Sequence, residues 1–153
     1  NPRYPSLRES FFTAYEARCR KPTLFPGVTE LLAAIDRKGL VWGIVTNKPQ
    51  EFAEAIAAST PAMARCAIVV GSRPGVPLKP APDGILRALK ELALKPEQTL
   101  YTGDDRRDIE AGKAAGTSTL LALWGYRPKD ADTSLWAPDF TASSPEDIIR
   151  LLP

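Results

Sequence analysis

Four short apolar runs punctuate this chain, each followed further on by a helical pattern. LVWGIV (40–45) stops at Thr46-Asn47-Lys48, IVV (68–70) at Gly71, TLYT (99–102) at Gly103-Asp104-Asp105, and STLLAL (118–123) at Trp124-Gly125-Tyr126. Runs without polar alternation fit strands covered on both faces, as in a parallel sheet. Strands alternating with helices predict an α/β fold, a parallel sheet with helices on both faces. In such sheets ligands bind beyond the carboxyl ends of the strands, so the residues that end the runs carry the functional reading.

The helical segments have readable limits. Leu7, Phe11, Tyr15 and Cys19 recur at a spacing of four, which predicts a helix over 6–20 closed by Lys21-Pro22. Val28, Leu31, Leu32 and Ile35 predict a second, ended by Gly39. Pro49 suits the first turn of a third, running to Ala58 with Phe52 and Ile56 inward. Helices are also expected over 83–92 and 106–115, the latter ended by Gly116, and after Ser144-Pro145, where Ser144 caps and acids fill the first turn. The Pro- and Gly-rich stretch 72–82 is a loop, and Trp42 is expected in the core.

Composition narrows the functional classes. Of 153 residues, 44% are hydrophobic and 25% charged, the balance of a globular protein, and the net charge of +2 gives no reason to expect nucleic acid or an acidic membrane as partner. No apolar run approaches the roughly 20 residues of a membrane span, and the N-terminus has no signal-peptide pattern. A cytoplasmic location is expected, as are reduced thiols at Cys19 and Cys66, although two cysteines also permit one disulfide. The first residue is Asn1, so the natural start is expected upstream. There is no histidine, which leaves any catalysis to carboxylates, Lys, Thr or Ser.

Three strand ends carry the candidate chemistry. Thr46-Asn47, between an apolar run and a helix, offers a hydroxyl and backbone N–H groups to an anion, or else a plain helix cap. Lys79, set in LKPAPDG between prolines, can bring a point charge to a phosphate oxygen, or be an ordinary solvated lysine. Asp104, Asp105 and Asp108 crowd carboxylates at a strand end. A hard cation such as Mg²⁺ relieves that crowding, and the alternative is acids that only offset a helix dipole. Trp124-Gly125-Tyr126 borders the same mouth or packs at a loop corner.

VTNK, LKPAPDG and YTGDDRRDIEAGKAAG follow one another in that order. With FPGVTELLAAIDRKGLVWGIVTNKP and LALWGYRP, they make nearly the whole chain resemble the haloacid-dehalogenase-like hydrolase superfamily, in its phosphoglycolate-phosphatase-like branch. The resemblance implies a Rossmann-like three-layer α/β/α core with a mostly parallel sheet over 22–153, and a remnant of a helical cap over 1–21. It implies a phosphatase acting on a small phosphorylated metabolite, 2-phosphoglycolate above others, with Mg²⁺ as cofactor. Thr46, Lys79 and Asp104 would be catalytic; Thr46, Asn47 and Lys79 would hold phosphate; Asp104, Asp108 and, with least support, Asp105 would serve the metal.

The departure from the family is large. Its first motif, DxDGT, supplies the attacking aspartate and the acid that protonates the leaving group, and this chain has no DxDGT. The resemblance therefore implies a missing first core strand, which in the family lies between the strands ending at Thr46 and Thr102. Two strand edges would stay open unless the gap closes, a second copy lends a strand, or a further segment fills it. The 153 residues alone are then expected to be inactive. A truncated phosphate-binding or interaction module is the alternative. A receiver domain would need its acids before Thr and Lys, and a dinucleotide fold would need GxGxxG.

Overall fold

The computed structural model describes residues 23–126 and 132–153, so the expected helix over 6–20, the cap remnant and Cys19 lie outside the described residues. In chain order the elements are α1 (Val28–Arg37), β1 (Gly43–Pro49), α2 (Gln50–Ser59), β2 (Ile68–Ser72), α3 (Asp83–Glu91), β3 (Leu100–Gly103), α4 (Arg106–Ala114), β4 (Ser118–Ala122), β5 (Phe140–Ala142) and α5 (Pro145–Leu151). Every strand pairing is parallel, as the apolar runs predict. The strand β5 and the 3₁₀ turn Thr133–Trp136 carry no such run and were not expected.

The strands form two sheets. β1 pairs with β2, Gly43 lying opposite Ile68, and β3-β4-β5 form the second sheet. Among the described residues β1 and β3 do not pair, and each lies at an end of its sheet's strand order. Burial follows this division. Leu120 and Leu121 of β4 are wholly buried, whereas β1 and β3 contain no fully buried residue.

Helices cover both faces. On one, Leu31 of α1 and Ile148 of α5 pack with Leu120 and Ala142. On the other, Ile85 and Leu89 of α3 meet Ala111 of α4 and Ala115, with Val45 of β1 and Tyr101 of β3 against them. Tyr101 and Leu120 must face opposite ways, because Tyr101 is in register with Thr119 and side chains alternate along a strand. Val45 and Tyr101 belong to different sheets, so the α3–α4 layer spans the seam. Hydrogen bonds cross it too: Lys79 Nζ (3.2 Å) and the Tyr101 hydroxyl (3.3 Å) both donate to the Val45 carbonyl.

Two expectations need correction. The first strand begins at Gly43 rather than Leu40, because Leu40 completes the stop of α1. Gly39 N–H donates to Asp36 C=O and Leu40 N–H to Ile35 C=O, with Gly39 at φ +68°, the paired bonds of a Schellman motif. Trp42 is half-buried rather than core, its indole N–H donating to Asp36 Oδ1 at 3.0 Å.

The helix α3 ends the same way, through Ala93 N–H to Lys90 C=O and Leu94 N–H to Leu89 C=O, but the left-handed position holds Ala93 at φ +53°. A Cβ in that region is strained by about 1–2 kcal/mol, so Ala93→Gly is expected to raise stability by up to about 1 kcal/mol in a denaturant titration. Ile85→Ala removes a side chain from the layer that spans the seam and is expected to cost about 2–5 kcal/mol. Val41→Ala, at a residue 56% exposed, is expected to stay within about 0.5 kcal/mol.

Candidate active site

The end of β3 turns into α4 with almost no room. A Cβ on Gly103 would stand 2.3 Å from Asp108 Cβ, so only glycine lets the helix fold back over the strand end. Asp105 is the N-cap of α4: its Oδ1 accepts from Arg107 N–H at 2.9 Å, while Asp108 Oδ2 accepts from Asp105 N–H at 3.1 Å. This reciprocal arrangement is a capping box, with aspartate at the position glutamate commonly takes.

The other oxygen of Asp108 reaches across the seam. Its Oδ1 accepts from Lys79 Nζ at 2.6 Å, an ion pair whose side chains are 15% and 9% exposed. Lys79 Nζ also donates to the Tyr101 hydroxyl at 3.2 Å and to Val45 C=O, so all three ammonium protons have acceptors. Burial pulls the Lys79 ammonium toward neutrality, but Tyr101 and Asp108 outweigh it, and its pKa stands above that of an ordinary lysine. Burial raises the Tyr101 hydroxyl as well, and the Lys79 charge opposes that without cancelling it.

The lysine's backbone is held from β1. Asn47 Oδ1 accepts from Lys79 N–H at 2.9 Å, and Asn47 Nδ2 donates to Lys79 C=O at 3.2 Å. The Lys79–Pro80 peptide bond is cis. Thr46 precedes Asn47, its Oγ1 accepting from Lys48 N–H at 3.2 Å, which leaves the hydroxyl proton to be donated elsewhere. Thr46, Asn47 and Lys79 line one open cleft with Ser72, Arg73 and Arg87, and no acidic residue lines it.

Of the residues expected at the site, Thr46, Asn47, Lys79 and Asp108 are therefore drawn together by hydrogen bonds or a shared cleft. Asp104 stands on the far side of the seam, at the turn from β3 to α4. Its Oδ2 accepts from Tyr126 N–H at 2.5 Å, and a Cβ on Gly125 would fall 2.2 Å from Asp104 Cβ. Trp124-Gly125-Tyr126 thus borders the site through its backbone. Asp105 is turned toward Arg107, whose Nε and a terminal nitrogen donate to its two oxygens at 2.8 and 3.1 Å. Those bonds hold the Asp105 carboxyl below its ordinary pKa. Among the described residues no three His, Cys, Asp or Glu side chains gather as a metal cage. Asp104, with Oδ2 on Tyr126 N–H, is a carboxylate at this strand end that could take part in holding a hard cation. Sequence reasoning missed Tyr101 and the double task of Asp108. A tyrosine inside an apolar strand reads as core, and only the fold places its hydroxyl over the seam.

The parallel sheets with helices on both faces and a strand-end cleft define a Rossmann-like α/β protein. The chain belongs to the haloacid dehalogenase-like hydrolase family, which it matches over residues 3–122. It is 36% identical over 155 aligned positions to the N-acetylmuramic acid 6-phosphate phosphatase of Pseudomonas aeruginosa, covering 99% of this chain and 68% of that protein. It is 38% identical over 144 positions to the phosphoglycolate phosphatase of Xanthomonas campestris, covering 94% and 65%. A haloacid dehalogenase-like hydrolase of Streptococcus pneumoniae superposes with a TM-score of 0.84 at 26% identity, over 96% of this chain and 69% of that one. The chain thus spans about two thirds of the length of these curated relatives.

The raised pKa values of Lys79 and Tyr101 contribute to an alkaline limit. A group whose folded pKa is raised binds its proton more tightly when folded, so its contribution is complete below the unfolded pKa and lost as pH rises through the folded one. For Lys79 and Tyr101 that window opens at about pH 10. Melting temperature is expected to fall there, and less steeply in Tyr101→Phe. Gly125→Ala, which forces a methyl group against Asp104, is expected to lower unfolding free energy by about 1–3 kcal/mol.

Proposed function

We infer that this chain is the phosphate-handling core of a Mg²⁺-dependent phosphomonoester hydrolase. The observation that carries the reading is the cleft at the end of β1, where Lys79 is fixed beside Thr46 and Asn47 and the remaining charges, Arg73 and Arg87, are also positive. Lys79 and Arg87 would meet an anion there while paired with Asp108 and Glu91, and Arg73 adds a third positive side chain. The phosphatase names of the relatives supply the reaction class.

In the reaction, an aspartate oxygen attacks phosphorus, the bond from phosphorus to the ester oxygen breaks, and the leaving oxygen takes a proton. Water then attacks the phosphorus of the phospho-aspartate and releases phosphate. The attacking aspartate and the acid belong to the DxDGT motif that these residues do not include. The work of this chain is binding and orientation. Thr46 donates its hydroxyl to a phosphoryl oxygen, the backbone at Asn47 faces the same group, and the Lys79 ammonium balances the charge that builds on the equatorial oxygens. Asp104 is the residue that would hold Mg²⁺, which, when bound, draws negative charge off the phosphoryl oxygens. Asp108 accepts from Lys79 and from Asp105 N–H, and would serve the metal as a ligand or by holding Lys79.

The substrate reading is a small phosphorylated metabolite, with 2-phosphoglycolate first and a phosphorylated sugar acid such as N-acetylmuramic acid 6-phosphate close behind. In a protein that combines these residues with the first motif, Asp104→Asn is expected to lower Mg²⁺-dependent hydrolysis of an aryl phosphate by about a hundredfold or more. Unchanged turnover contradicts the role of Asp104. The purified 153-residue chain is expected to show no turnover, and measurable turnover contradicts the assignment of the nucleophile. A second reading, a phosphate-binding module without catalysis, draws on the lack of DxDGT among these residues. Full hydrolysis by the combined protein dismisses it.

A further inference from the structure

We propose that Asn47 is a positioning residue that acts through Lys79, its side-chain amide clamping the lysine's backbone to the end of β1. The inference rests on the reading of Lys79 as a phosphate-holding group. Asn47 places one acceptor and one donor on the two backbone polar groups of a single residue, Oδ1 on Lys79 N–H at 2.9 Å and Nδ2 on Lys79 C=O at 3.2 Å. A side-chain amide does this because it carries the same donor and acceptor as a peptide group. Aspartate lacks the donor, and serine has one polar atom with which to reach two.

The clamp matters because of what it fixes. Lys79 sits in the loop between β2 and α3, whose own backbone bonds, Val76 N–H to Arg73 C=O and Ala81 N–H to Leu78 C=O, close local turns. The Asn47 bonds tie that loop to the strand that carries Thr46. A lysine side chain has a long flexible stem. Its ammonium finds Asp108, Tyr101 and Val45 C=O together only if the Cα is set first. Asn47 fixes the base of the stem and Asp108 its tip, so the ordering of the ammonium is complete before an anion arrives. The amide of Asn47 is then spent on Lys79, so its side chain affects phosphate by way of the lysine.

The test uses the 153-residue chain, inorganic phosphate with Mg²⁺ as the probe, and amide hydrogen exchange alongside. Asn47→Ala is expected to weaken phosphate binding by about tenfold, because the lysine must then be ordered at the expense of binding. It should speed exchange of the Lys79 amide while the amide of buried Ile109 stays slow. In a Lys79→Ala background, adding Asn47→Ala is expected to change phosphate affinity no further. Equal affinity of the wild type and Asn47→Ala, an unaltered Lys79 amide, or a full further loss in the Lys79→Ala background each overturns the role of Asn47. No phosphate binding by the wild type overturns the phosphate reading and the role together, a distinct result. If Asn47→Ala fails to fold, Asn47→Ser, which keeps a polar side chain but reaches only one backbone group, is expected to show the same losses.

Discussion

The contact between Lys79 and Asp108 holds the two halves of the site in one place. The parallel strands fall into two sheets, and no strand pairing joins β1 to β3 among the described residues. What crosses between them is an apolar helix layer and a polar bridge. The bridge consists of Lys79, Tyr101 and the Val45 carbonyl, anchored at 2.6 Å by Asp108. A buried ion pair is a poor source of net stability, because desolvation consumes most of its attraction. Its value is geometric. It sets the distance between the strand end that presents Thr46 and the one that presents Asp104.

Local features make that contact possible. Gly103 removes the side chain that would collide with Asp108. The capping box fixes one oxygen of Asp108 on Asp105 N–H and leaves the other for the lysine. Asn47 grips the lysine through its backbone N–H and C=O. Each device is local in sequence or sits at a strand end, yet together they bind residues from three elements. The apolar layer beneath, with Ile85 and Ala111 almost or wholly buried, supplies the hydrophobic part of the same join.

Much of this could be read from the sequence, for definite reasons. Runs such as STLLAL and caps such as Ser144-Pro145 state their structure locally, and β4 and α5 follow them. The fold class and the family followed from the order of strand ends. Harder to read were features whose cause is distant. Leu40 looks like a strand residue until its N–H is seen to close α1. The helix α3 ends at Ala93, where no glycine announces the stop. The strand β5 has three residues, and Asp139 beside it accepts from the N–H and hydroxyl of Thr119, a partner twenty positions away. At the site the acids take different side-chain partners, Asp104 the N–H of Tyr126, Asp105 Arg107 and Asp108 Lys79, while Asp108 also accepts from Asp105 N–H. Spacing alone could not assign these partners.

The most direct measurement is a double-mutant cycle on Lys79→Met and Asp108→Asn, read by denaturant unfolding of the chain. If the pair joins the two halves as described, the coupling energy is at least about 1 kcal/mol, and the double variant is less impaired than the sum of the single ones. Additive losses, with coupling near zero, would mean that these two groups do not hold each other and that the site is assembled by something else.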